Sequence, residues 1–111
     1  MTTKYLVEQD IFTVIHIGEN LERDIVTPYC CDLLSIAMSK APANSAWITV
    51  IGNVNTVAVG VLADVACIIL AEGAVLDDMA LEKAKMQNMT VLRSEKPVFD
   101  TALAVYELMH D

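Results

Sequence analysis

The sequence predicts an α/β fold, a three-layer sandwich with a mainly parallel central sheet, and three observations carry that prediction. First, Trp47-Ile48-Thr49-Val50-Ile51 is rich in aromatic and β-branched residues, which suit a pleated strand. Second, Gly52-Asn53-Val54-Asn55 punctuates the apolar run, residues 56–63 read as helix, and residues 66–70 form another apolar strand. Strand, tight turn, buried helix and strand make a βαβ unit, whose right-handed crossover sets the two strands parallel. Third, strand-like and helix-like segments alternate to the end of the chain, without linker, repeat or low-complexity stretch.

In order, residues 2–9 suit a short helix and residues 12–17 a strand, closed by Gly18-Glu19-Asn20. Asp24-Ile25-Val26 reads as a short strand before Pro28. From residue 30 to 41, Cys30, Leu33, Leu34, Ala37, Met38 and Ala41 recur at three- and four-residue steps, the signature of one helix face. Pro42, Asn44 and Ser45 end it. Beyond the βαβ unit, Glu72-Gly73 is a loop. Asp77 or Asp78 caps a helix running to Asn88, with Leu76, Ala80, Leu81 and Ala84 inward. Thr90-Val91-Leu92 is a short strand. Ser94 is expected to cap the last helix, with Pro97 in its first turn, where a missing N–H is harmless. Val98, Ala102, Val105 and Met109 mark its buried face, broadened by Phe99 and Tyr106.

A length of 111 residues suits a single domain, residues 1–111. Hydrophobic residues make up 55% of the chain, so part of that surface is expected in a subunit interface. Crossover helices on a parallel sheet also consume it. The longest uncharged run, residues 41–63, is broken by Pro42, Asn44 and Ser45 and again by Gly52, Asn53 and Asn55. A spanning helix needs about 20 predominantly apolar residues, so no membrane segment is expected. The amino terminus does not resemble a signal peptide, and a soluble, cytoplasmic protein is the expectation. Seven basic against fifteen acidic residues give a net charge of −8, which repels nucleic acid. Lys83, Lys85, Arg93 and Lys96 are interleaved with acids or neutral residues and form no basic cluster. Cys30, Cys31 and Cys67 contain no C-x-x-C pair and read as reduced thiols serving as small hydrophobes. With two distant histidines they are too few for a metal site, and no cofactor is expected.

Open α/β sheets bind small molecules at the carboxyl ends of their strands, which makes the turn after residue 51 the first candidate site. Gly52, Asn53, Asn55 and Thr56 stand there. Free N–H groups at a helix amino terminus favour an anion, and Asn and Thr side chains add hydrogen bonds. The plainer alternative is that Asn53 or Asn55 caps the helix while Gly52 permits the turn. Arg23 with Asp24 and Asp32 is a second candidate, set against a simple local ion pair. His16 and His110 have no identifiable partner for general-base work, and His16 is expected to make a local hydrogen bond. Ser35 lacks a nucleophile elbow, and no Walker-type or Gly-x-Gly-x-x-Gly loop is present. Met38, Met79, Met86, Met89 and Met109, at helical spacings, read as core and interface filler.

The segment Leu21-Glu22-Arg23-Asp24-Ile25-Val26-Thr27-Pro28-Tyr29-Cys30-Cys31-Asp32-Leu33-Leu34-Ser35 resembles the signature of the DRTGG domain family. That signature is an acidic residue and arginine, a short strand, a glycine pair, then an aromatic-small-small-Asp-Leu-Leu-Ser helix start. Residues 46–69 and the closing helix, strand and Tyr106-containing helix are similar to the family too, so the likeness covers roughly residues 20 to 110. The resemblance implies a fold similar to the amino-terminal domain of HPr kinase. It also implies a regulatory domain that is often fused to enzymes, with no catalytic residue to carry over to this chain. At the glycine-pair positions stand Thr27 and Pro28. Proline has no N–H and a fixed φ, so anion binding by backbone at this turn is weakened, leaving the turn to orient the helix at Cys30.

The expected function is therefore a non-enzymatic regulatory or interaction module. It would act as a homodimer and sense a small anionic or nucleotide-like ligand at Gly52, Asn53, Asn55 and Thr56, with Thr27, Arg23 and Asp32 as further candidates. One alternative is a small enzyme or phosphotransfer accessory that gathers Asp32, Asn55 and Arg23 around a phosphate. Another is a structural subunit that binds a protein partner.

Overall fold

The computed structural model describes residues 1–111 as five helices and five strands. In chain order these are α1 (Thr3–Glu8), β1 (Thr13–His16), β2 (Pro28–Cys30), α2 (Leu34–Lys40), β3 (Ala46–Thr49), α3 (Val54–Ala63), β4 (Cys67–Leu70), α4 (Asp78–Gln87), β5 (Val91–Arg93) and α5 (Val98–Met109). The strands form one sheet in the order β1-β5-β4-β3-β2. β2 to β5 are parallel, and β1 pairs antiparallel with β5 at one edge. The predicted βαβ unit is present: β3 and β4 are parallel neighbours with Trp47 opposite Ile68.

Pleat alternation distributes the sheet's side chains between two cores. Trp47, Ile68, Leu70 and Val91 pack with Ala37 of α2, Val57 of α3 and Ala80 of α4. Ala46, Ile48, Cys67, Ile69 and Leu92 pack the other way, with Leu6 of α1 and Val105 of α5. The three crossover helices thus cover one face and the two terminal helices the other. Every residue of β3 and β4 is buried, which is why both strands read as unbroken apolar runs rather than alternating ones. Thr2, Asn53 and Asp77 cap α1, α3 and α4 with side-chain oxygens. Asp64 and Asn88, both left-handed, end α3 and α4.

The crossovers β2-α2-β3, β3-α3-β4 and β4-α4-β5 all step the same way along the sheet, with their helices on one face. No reversal of strand order opens a crevice among the parallel strands. The one change of sense lies between β5 and β1.

The first third of the chain departs from the prediction. Cys30 closes strand β2 and does not start a helix, and α2 begins at Leu34. Cys30 and Leu33 match helical spacing only by coincidence. Asp24-Ile25-Val26 is not a strand but a connector tied down by single bonds. Ile25 N–H donates to the Met1 carbonyl at 2.7 Å and Val26 N–H to that of Asn44 at 3.0 Å. Thr27 and Pro28 therefore start an edge strand instead of orienting a helix. The Thr27 carbonyl accepts from Ala46 N–H and Cys31 N–H donates to Ile48, so alternation turns Pro28's backbone toward the free edge. A proline is tolerated there because no ladder bond is lost. Thr27 Oγ1–H also donates to the Pro28 carbonyl at 2.9 Å, so the edge offers little to a passing strand.

The last helix differs in detail. Ser94 does not cap α5; Pro97 occupies the cap position and supplies no side-chain bond. Phe99 and Tyr106 are exposed, while Thr101 and Val105 face inward. Phe99 lies two residues from Thr101, about 200° round the helix, so hydrophobicity alone misplaces it. Among the methionines Met89 is buried, whereas Met38, Met79 and Met86 stand on the surface and fill no core. No helix is long and apolar enough to cross a membrane.

Candidate functional site

The turn from β3 into α3 is where the sequence points first, and its polar groups are already engaged. Asn53 Oδ1 accepts from the N–H groups of Asn55 at 3.0 Å and Thr56 at 3.1 Å. Those are the donors an anion would need, so the cap and the ligand compete for one set of N–H groups. Thr56 is buried, with its Oγ1 at 3.5 Å from the same oxygen. Asn55 is exposed. Gly52 serves close packing: a Cβ there would sit 2.0 Å from the Val75 carbonyl oxygen. The Gly52 carbonyl also accepts from Asp77 N–H at 2.9 Å, which locks this turn to the loop before α4.

The remaining candidates lie at two ends of the sheet. Asp32, just past the carboxyl end of β2, accepts from Thr49 Oγ1–H at 2.8 Å and Val50 N–H at 2.9 Å. It pins the end of β3 and belongs with the Gly52 turn. Arg23 sits at the amino end. Its Nε and Nη2 donate to Asn44 Oδ1 at 2.9 and 2.6 Å, and Nη2 also donates to the Asp64 carbonyl at 2.6 Å. Its ion pair is with Asp64 at 3.1 Å, whereas Asp24 faces the Met1 amino group at 3.9 Å. The four residues of β3 lie between the two groups and span about 13 Å. Arg23 therefore does not meet Asp32 and Asn55, and a phosphate site built from all three is not assembled. Thr27, at the amino end of β2, spends its hydroxyl on Pro28.

His16 Nδ1 lies 2.9 Å from the Met89 carbonyl. A carbonyl only accepts, so Nδ1 donates this bond. His110 stacks on Tyr106 with ring centroids 4.0 Å apart. No three His, Cys, Asp or Glu side chains gather in a group that would hold a metal ion.

Two of the thiols, Cys30 and Cys67, are pushed toward the protonated form. Cys30 is exposed as a residue, yet partial desolvation of its sulfur, followed by the Asp32 carboxylate, pushes its pKa up. Cys67 is fully buried, and burial pushes its thiol up from an ordinary 9.0 to about 12. That shift makes stability pH-dependent. Between the two values the unfolded chain has released this proton and the folded chain has kept it. The contribution is intact below pH 9 and is lost as pH rises towards 12. Unfolding free energies from urea titrations should be level below pH 9 and fall above it by up to about 1.4 kcal/mol per pH unit, and Cys67→Ala should flatten that slope. An equal slope in the variant would assign the loss to other groups.

Two hollows lie away from the Gly52 turn. One, of about 290 Å³, opens at the amino ends of β4 and β5 beside Arg23, Asp64 and Asn88. The other, of about 540 Å³, opens at the carboxyl end of β5 between residues 10–14 and residues 93–96. Arg93 and Lys96 line it together with Asp10 and Glu95. The alternating charges of residues 93–96 look like an ordinary solvated loop, and only the strand before them hints that Arg93 is drawn in. No protein-family model matches the chain, and no curated protein matches it significantly.

Proposed function

We propose that this chain is a non-enzymatic regulatory or interaction module of the DRTGG type, related in fold to the amino-terminal domain of HPr kinase. It works in the cytoplasm as a homodimer that responds to a small ligand. One observation carries the dimer: the outer surface of α3 and α4 bears an exposed apolar patch rimmed by charges of both signs. α3 contains no charged residue, and Leu62, Met79 and Met86 on α3 and α4 are each more than 70% exposed. A shallow groove of about 360 Å³ runs between Val54, Met79 and Met86. Its rim carries Asp78, Glu82 and a half-buried Lys83, while Glu82 pairs with Lys85 at 3.6 Å. Acids and a lysine on one rim supply both members of the charge pairs that a two-fold, isologous interface can exchange between copies.

Sedimentation velocity at micromolar concentration tests this. The wild-type chain is expected to run as a dimer, and Leu62→Glu with Met79→Glu as a folded monomer. Lys83→Glu should weaken self-association at least tenfold. Mixing it with Asp78→Lys/Glu82→Lys should restore a heterodimer. A wild-type monomer would remove the dimer; a dimer indifferent to these changes would move its interface elsewhere.

A further inference from the structure

We propose that the hollow at the carboxyl end of β5 is a binding site for a small oxyanion, a carboxylate or phosphate on a compact organic body, received by Arg93 with Lys96 beside it. The chain has two arginines, and they are used differently. Arg23 is engaged through its Nε and Nη2 by Asn44 and Asp64. Arg93 is mostly buried, with 29% of its side chain exposed, and its fully buried Nε has no hydrogen-bond acceptor within the protein. The closest carboxylate oxygen, Glu95 Oε1, lies 3.8 Å away, beyond hydrogen-bond range. A buried donor on a permanently charged group is costly unless something accepts from it, and a planar oxyanion suits a guanidinium best.

Position and rigidity add to this. The hollow sits at the carboxyl edge of the parallel sheet, at the single boundary where strand direction reverses, between β5 and β1. The loop carrying Lys96 is fastened in place. Ser94, 3% exposed, accepts at its Oγ from Lys96 N–H at 3.1 Å and from Thr101 Oγ1–H at 2.8 Å. Gly73 N–H donates to the Ser94 carbonyl at 2.8 Å and Glu72 N–H to that of Lys96 at 2.9 Å. Little ordering therefore remains for a ligand to impose. Phe12, 8% exposed, and Ile11 give the hollow an apolar wall for the organic part.

Glu95 acts as the internal stand-in for the ligand. Its carboxylate rests where a side chain on Gly73 would be: a Cβ there would come within 2.3 Å of Glu95 Oε2, and Gly73 has φ +66°. Glu95 itself is 77% exposed and free to swing out, so an incoming oxyanion displaces a loosely held one.

This inference rests on the ligand-responsive half of the proposed function and is independent of the dimer. With only two arginines, the Nε–H region of a proton–nitrogen NMR spectrum holds two resonances. Titration with inorganic phosphate and, separately, with acetate is expected to move that of Arg93 saturably and leave that of Arg23 in place. Saturation by phosphate alone defines a phosphate site, and by acetate alone a carboxylate site. Glu95→Gln, an exposed change, should tighten binding several-fold, and Arg93→Lys should weaken it at least tenfold. Shifts no larger than those produced by chloride, or affinity unchanged in Glu95→Gln, would overturn the site. The backbone amides in the same titrations separate the two ideas. Saturable shifts elsewhere, at residues 52–56 for instance, with Arg93 unmoved would sink this site and keep a ligand-responsive module.

Discussion

Trp47→Ala is expected to destabilise the fold by about 3–5 kcal/mol, the range for emptying a large aromatic site in a core. Trp47 is fully buried at the centre of β3, with its ring in the core shared with α2, α3 and α4. The indole also carries a bond: Nε1–H donates to the Cys31 carbonyl at 2.9 Å, tying the segment after β2 to the sheet. Removing the ring opens a cavity and orphans that carbonyl, and the two losses add. A domain of this size commonly has about 5–15 kcal/mol in total, so the variant should be partly unfolded at moderate temperature. Trp47→Phe separates the terms, because it keeps most of the volume and loses only the donor. It should cost about 1–3 kcal/mol. Trp47 is the sole tryptophan, so unfolding must be followed by circular dichroism in urea. A midpoint for Trp47→Ala within 1 kcal/mol of wild type would show that the ring is not packed as described.

The same residue explains how much of the fold was legible in the chain. Trp47 begins a run that is apolar without alternation because β3 is covered on both faces, and β4 repeats the pattern with Cys67 to Leu70. Two such runs joined by a capped helix leave little choice but a parallel pair. β2 was hidden for the opposite reason. It has three residues, one neighbour and a proline, so its only signal is the extended preference of Thr27-Pro28. The apolar residues after it happen to fall at helical steps, and a periodicity count extends the helix backwards through them. The outward turn of Phe99 and Tyr106 was equally invisible, since hydrophobicity does not say which side of α5 the sheet lies on.

The candidate turn at Gly52 was legible by rule; the hollow beside Arg93 was not. Strand carboxyl ends are where open α/β sheets take small molecules, and one hollow lies at the point on that edge where strand direction reverses. That point is fixed by β1, which comes first in sequence and pairs with the last strand, a contact across the whole chain. No local pattern announces it. The turn at Gly52 carries the expected residue types, but its neighbours have already claimed them.

Gly52→Ala is accordingly expected to cost about 3 kcal/mol, at the upper end of what overpacking causes, although only one methyl group is added. The new Cβ would stand 2.0 Å from the Val75 carbonyl oxygen, 2.9 Å from its carbon and 3.2 Å from Leu76 Cα. All three are backbone atoms, so no rotamer change relieves the clash. The loop before α4 must move, and with it the bond from Asp77 N–H to the Gly52 carbonyl and the cap that Asp77 gives to Ala80 N–H at 2.8 Å. The effect should therefore appear as faster amide exchange in the first turn of α4 as well as a lower urea midpoint. Asn55→Ala, three residues further on, is the control. Its side chain is exposed, and the loss should stay within about 0.5 kcal/mol. A glycine kept for ligand approach alone would behave the other way, with Gly52→Ala stable and only binding impaired. Equal stability of the two variants would return this turn to the list of open binding loops, and the clash with Val75 makes that outcome the one to look for first.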